Sequence, residues 1–381
     1  MISRRSFLGG VSAALASAPF LASNAQAATN LPMTVVNNTA AHPSSAIWVY
    51  VVGVDLATGR QCYVNASGAL VPVSLADNGP DGFTDYAIPL HSSGNTTVNL
   101  PNMSGRVYFS IGSKLKIRAV VDGAGRPALQ YPAGWVSSDP NYPILHDFTE
   151  FTFNGAGMFC NTTMVDQFSI PLAINLTGAK NQTTGALASG ARSRIFSGIA
   201  AVPEFSRLVV GDGLRVIAPG HGLDAGLFSS SYFDSYVDQV WAKYQSTNLT
   251  VTTNTGTFTG RVSGNTLAFS GGVRSFSKPS TRDVLFCDGA LAAPNDGISG
   301  PVAAVLGAGF NRSTLVSNTS QPTTDPSTFY RQPITNHYSK VLHENTVDGK
   351  AYGFAFDDVA DFASYVQDTA PTSFTVTLTP F

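Results

Sequence analysis

Sulfur and charge are both scarce in this chain. Of its 381 residues three are cysteine (Cys62, Cys160 and Cys287), so at most one disulfide can form and one thiol is left over. No Cys-x-x-Cys pair and no Cys/His ligand spacing is present, which removes the zinc-site reading. No calcium-loop motif is present either, and nothing calls for a metal or an organic cofactor. Charged side chains make up 12% of the chain, with 22 Lys and Arg against 24 Asp and Glu. That balance lacks the basic footprint a nucleic-acid partner requires. Nucleophile motifs are missing too. Gly297-Ile298-Ser299-Gly300 fails the spacing of a nucleophile elbow, and His343-Glu344 lacks the second histidine of a zincin. Gly211-Asp212-Gly213 is only a fragment of a dinucleotide fingerprint.

The N-terminus is read as a targeting segment. Ser3-Arg4-Arg5-Ser6-Phe7-Leu8 is a twin-arginine motif, followed by an apolar, small-residue stretch and by Ala25-Gln26-Ala27 as a cleavage site. The stretch is short and carries Gly9, Gly10 and Pro19, so a retained membrane anchor is the weaker reading. The expectation is a protein exported by the twin-arginine route to the periplasm or the medium, with no membrane contact once residues 1–27 are removed. Removal takes Arg4 and Arg5 from the basic residues and nothing from the acidic ones, so the net charge moves from −2 to −4. The twin-arginine route carries folded proteins, which suits a chain too long to need disulfide staples.

Low charge with abundant Gly, Ser, Thr, Asn and aromatics is the composition of a β-rich exported protein. Short β-branched and aromatic runs recur, at 46–53, 107–111 and 115–121, with Gly112 and Ser113 splitting the last two. Residues 374–379 alternate apolar and polar, as a half-buried strand does. Their spacing predicts a sandwich or a barrel. The middle differs. Ser231 is placed to cap a helix over 231–243, with Tyr232, Tyr236, Val240 and Trp241 on one face. Further helices are expected over 300–310 and 334–345, strands over 207–217, 283–287 and 351–356, and an exposed loop over 313–327. The chain therefore divides into a β domain over 28–175 and a mixed α/β domain over 176–345, with the strands of 346–381 returning to the first.

One segment carries chemistry. Asp147-Phe148-Thr149-Glu150-Phe151-Thr152-Phe153-Asn154 reads as a strand, so Glu150, Thr152 and Asn154 fall in one row and Phe151 and Phe153 on the other face. Gly155 and Gly157 break it, and a second segment leads to Asp166 within Met164-Val165-Asp166-Gln167-Phe168. An acid in that apolar setting is desolvated or held by hydrogen bonds. Cleaving a glycosidic bond needs two carboxyl groups, one to protonate the leaving oxygen and one to activate water or attack the sugar. From the residues alone, Glu150 also reads as a surface strand residue and Asp166 as a turn residue.

Two stretches resemble glycoside hydrolase family 64, the laminaripentaose-producing β-1,3-glucanases. The first is Glu150-Phe151-Thr152-Phe153-Asn154, Asn161, Val165-Asp166 and Pro171-Leu172. The second is Asn336-His337-Tyr338-Ser339-Lys340, His343, Asp348-Gly349 and Tyr352-Gly353-Phe354-Ala355-Phe356-Asp357-Asp358-Val359. The resemblance implies a mainly β fold with α/β, in which a thaumatin-like β-barrel or sandwich domain joins a mixed α/β domain across a wide groove. It implies a monomeric endo-β-1,3-glucanase acting on β-1,3-glucan with inversion, Glu150 being the general acid and Asp166 the general base. Thr152, Asn154 and Thr163 match sugar-contacting positions. Phe159 falls where an aromatic platform, commonly tryptophan, is expected; phenylalanine can stack but lacks the indole donor. Asp357 and Asp358 match paired acids that hydrogen-bond sugar hydroxyls.

Other features carry less. His337 and His343 are six apart on a helix and fall on different faces, as packing or groove residues. His221, with Asp224 in Pro219-Gly220-His221-Gly222-Leu223-Asp224, reads as a glycine-flanked loop histidine, more often structural than a substrate contact. Cys160 reads as packing. The competing reading is a thaumatin-like protein that binds β-glucan without cleaving it.

Overall fold

The computed structural model describes residues 30–292, 294 and 296–381. The targeting segment lies outside the described residues.

Two antiparallel-rich sheets pack face to face. The larger runs Tyr365–Asp368, Gly157–Asn161, Leu145–Asn154, Met103–Ile111, Ile47–Asp55, Gln61–Val64 and Leu70–Pro72, with Ile88–Pro89 pairing onto Ile47–Asp55. The smaller runs Asn181–Thr184, Leu172–Thr177, Ser373–Leu378, Asn30–Asn37 and Thr96–Pro101. Alternation builds the core between them. Val49, Val51, Val107, Phe109, Phe151, Phe153, Met158 and Cys160 from the large sheet meet Met33, Val35, Leu100, Ile174, Phe374 and Val376 from the small one. Neither sheet closes on itself, so the architecture is a sandwich and the barrel alternative is corrected. The strand Ser373–Leu378 sits in the middle of the small sheet, parallel to Asn30–Asn37 and antiparallel to Leu172–Thr177.

A second core lies outside the sandwich. It joins Ile195, Ile199, Phe205, Val216, Tyr236, Trp241, Val251, Leu306, Phe310 and Tyr338. Helices Ala191–Ala200, Asp234–Ser246, Ser299–Asn311 and His337–Asn345 pack there with a small sheet around Leu249–Thr253 and Gly256–Ser263.

Several expectations need correction. Residues 283–287 are not a strand. Helix Thr281–Phe286 forms there because Ser280 and Asp283 make a capping box, each side chain bonded to the other's backbone N–H. Residues 351–356 pair only through one bridge from Tyr352 to Thr163, and turns follow. The helix expected from Ser231 starts at Asp234, and the one expected from 334 starts at His337, capped by Asn336. The stretch 313–327 is not all exposed loop. Ser313, Thr314, Leu315 and Gln321 are buried, and Ser320–Gln321 pairs with Leu249–Thr253. Gly211-Asp212-Gly213 is the tight turn between Val209–Val210 and Arg215–Ile217. All three cysteines are buried free thiols.

Candidate functional site

The face of the large sheet turned away from the sandwich core is polar and aromatic. Register fixes who stands beside whom. Glu150 pairs with Arg106 on one side and Asn161 on the other, while Thr152 pairs with Ser104 and Phe159. Cross-strand partners share a face, so Arg106, Glu150, Asn161, Ser104, Thr152 and Phe159 form one patch. Phe151 and Phe153 point into the sandwich core, as the alternation required. The Thr152 and Ser104 hydroxyls are 2.8 Å apart. Phe159 stays partly exposed, whereas Asn154 closes the hairpin, its Oδ1 accepting from the Ala156 N–H at 2.8 Å.

Arg106 organises the two acids. Its Nε and Nη2 both lie 3.1 Å from Glu150 Oε1, and Nη2 lies 3.6 Å from Asp166 Oδ2. Nη1 donates to the Tyr108 hydroxyl at 3.1 Å, and the guanidinium sits 4.2 Å over the Phe148 ring. Because one nitrogen reaches both carboxylates, Oε1 and Oδ2 are no more than about 7 Å apart, a bound that admits the carboxyl separations of both retaining and inverting glycosidases. Glu150 is only 7% exposed. Burial raises its pKa above the ordinary value and the Asp166 charge adds to this, while Arg106 opposes it.

Asp166 lies just before the short strand Gln167–Phe168. Its carbonyl accepts from the Ala218 N–H at 3.0 Å. The preceding residues are tied to the C-terminal half: the Tyr338 hydroxyl donates to the Met164 carbonyl at 2.6 Å, and the Met164 N–H to the Tyr352 carbonyl at 2.8 Å. Asp166 Oδ1 meets His221 Nε2 at 2.8 Å. His221 is not on a loop; it belongs to helix Pro219–Asp224. The flanking glycines have a packing reason. A Cβ on Gly222 would come within 2.2 Å of Leu208, and one on Gly220 within 2.9 Å of the Phe286 ring. Small residues let the helix approach closely enough for the imidazole to reach Asp166.

The remaining expected residues divide. Thr163 is buried and its Oγ1 faces the Val165 N–H at 3.4 Å. Asp358 is half-buried beside the site. The neighbouring Tyr352 hydroxyl is pushed far above its usual range by burial and by the charges of Asp358 and Glu150. Asp357 differs. It is 0% exposed, with Oδ1 accepting from Arg312 at 3.1 Å and Oδ2 from the Gly353 N–H at 2.9 Å and facing His343 Nε2 at 2.9 Å. Its oxygens are occupied, so it locks the segment that presents Asp358 and does not offer itself to a sugar. His343 is thereby a buried partner of Asp357, while His337 lies against Phe205 and the Pro333 carbonyl. Sequence reading missed Arg106 altogether, and also Trp135, whose ring stacks on His221 at 4.3 Å. A strand begun at Ser104 rather than Val107 would have put Arg106 on the face of Tyr108; nothing in the sequence couples Trp135 to the site.

A paired-carboxylate cluster on the polar face of a β-sandwich is the donor set that cleavage of a glycosidic bond requires, and places the chain in the class of candidate glycoside hydrolases. The comparisons narrow it. Residues 29–378 match the β-1,3-glucanase model of glycoside hydrolase family 64. The chain is 34% identical over 366 residues to a glucan endo-1,3-β-glucosidase of Cellulosimicrobium cellulans, covering 92% of this chain and 65% of that protein. It thus spans just under two thirds of that relative. A laminaripentaose-producing β-1,3-glucanase solved with laminaritetraose superposes with a TM-score of 0.85 at 36% identity, over 93% of this chain and 99% of that one. A family 64 β-1,3-glucanase domain of Clostridium beijerinckii gives a TM-score of 0.83 at 29% identity, over 94% and 100%. The chain belongs to glycoside hydrolase family 64.

Proposed function

We propose that this chain is an exported endo-β-1,3-glucanase. It cleaves β-1,3-glucan with inversion and releases short laminari-oligosaccharides, Glu150 acting as general acid and Asp166 as general base. The observation that carries the reading is one guanidinium within reach of both carboxylates. In the resting state Glu150 holds a proton and Asp166 the negative charge. During cleavage Glu150 gives its proton to the glycosidic oxygen, water attacks the anomeric carbon from the opposite face, and Asp166 takes a proton from that water. The negative charge moves from Asp166 to Glu150, and Arg106 faces it at both ends. Burial of Glu150 favours the protonated form the reaction needs.

The polar row supplies the sugar contacts in this reading. Thr152 and Asp358 offer hydrogen bonds, Phe159 offers a stacking face, and Asn154 and Thr163 shape the ends. The groove holding the glucan runs between the sandwich and the helical part, an arrangement we take to be thaumatin-like. The twin-arginine motif and low cysteine content support export of an already folded chain.

The test is product analysis on linear β-1,3-glucan beside Glu150→Gln. Loss of turnover by roughly 10²- to 10⁴-fold, with binding to insoluble glucan retained, is expected. NMR of the first products should show the α-anomer. A β-anomer would replace inversion with retention, and glucan binding without products from either protein would favour a non-catalytic binder.

A further inference from the structure

The contact between His221 and Asp166 is more than packing. An ionised carboxylate can only accept, so Nε2, 2.8 Å from Oδ1, carries a proton and donates it to the hydrogen bond. The ring is held on two sides. Trp135 stacks on it at 4.3 Å with 18° between planes, and Phe286 meets it edge-on at 5.9 Å and 82°. The Trp135 loop is itself pinned by the buried Arg215, whose Nη1 donates to the Gly134 carbonyl at 2.6 Å and the Tyr142 carbonyl at 2.7 Å. A titratable donor is therefore fixed against one oxygen of the proposed base, leaving Oδ2 toward Arg106.

We propose that His221 is the positioning residue of Asp166. Its Nε2–H fixes the carboxylate plane so that Oδ2 meets the attacking water. Asp224 on the same helix is paired with Arg282, which covers the outer side of Phe286. This inference rests on Asp166 being the base.

The test uses His221→Gln, His221→Phe and Asp166→Asn in the full chain. Glutamine places an amide N–H near the Nε2 position and does not titrate; phenylalanine keeps the stack and removes the donor. His221→Phe should lower kcat roughly 10- to 100-fold with KM changed less than about threefold. His221→Gln should recover most of that loss. Wild-type kcat in His221→Phe overturns the proposal, as does a His221→Gln variant no more active than His221→Phe. Should His221→Phe fail to fold, His221→Asn, whose shorter amide cannot reach Oδ1 from the same backbone position, takes its place beside His221→Gln. Wild-type turnover in Asp166→Asn would instead remove the base assignment itself. An inactive Asp166→Asn beside an unimpaired His221→Phe would remove only the positioning role.

Discussion

Arg106 shows how much one side chain settles. In a poorly solvated patch with no cation beside them, two carboxyl groups favour the fully protonated state, in which neither carries charge. Arg106→Ala should therefore reduce kcat by at least about 10²-fold, because the base would no longer be ionised when the acid is protonated. Arg106→Lys should recover only part, since an ammonium is a point charge and cannot span both acids as a planar fork does. Steady-state kinetics on linear glucan separates the two. If Glu150 is the acid, as proposed, the basic limb of the wild-type rate profile should lie above the pH expected for an ordinary glutamate, because burial and Asp166 raise its pKa. Asp358 gives a stability prediction. Burial and then Asp357 lift its pKa to about 6. Folding thus favours its neutral form, a contribution present below the unfolded pKa and lost as pH rises through about 6. Asp358→Asn should raise the melting temperature near pH 7.5 and leave it nearly unchanged near pH 4. A shift of equal size at both would contradict the assignment.

At the scale of elements, alternation and capping explain what was legible. The Glu150 row and the Phe151–Phe153 face follow from the two-residue period of one strand, and residues 374–379 announce their strand the same way. The helix over Thr281–Phe286 was hidden because Val284, Leu285 and Phe286 look β-like, while its deciding signal is the polar pair Ser280 and Asp283. Ser280→Ala should cost about 1 kcal/mol in denaturant unfolding. Since Phe286 also supports His221, it should lower kcat modestly as well. His221 read as a loop residue because its glycines suggest a turn, and only the tertiary neighbours Leu208 and Phe286 reveal them as clearance for a helix. Arg106 stayed unnoticed for another reason. Its significance is a cross-strand register, which no single strand's pattern contains. Asp357 shows the converse: two adjacent acids look alike in sequence, yet one is sealed against Arg312 and His343 and the other borders the site.

For the whole molecule, the small sheet ties distant parts of the chain together. Met33 pairs with Phe374 and Val35 with Val376, and Leu172–Thr177 flanks the same strand on its other side. Deleting residues from 373 onward would remove a central strand, expose the edges of both neighbours and unroof Phe151. Such a truncation should give no soluble, cooperatively melting protein, whereas removing only Phe381 should be tolerated, as circular dichroism and yield would show. The pairing also sets a timetable. Met33 leaves the ribosome about 340 residues before its parallel neighbour Phe374. The sandwich therefore has to assemble after residues 373–378 emerge, and until then Asn30–Asn37 presents an unmatched strand edge that a chaperone would have to shield.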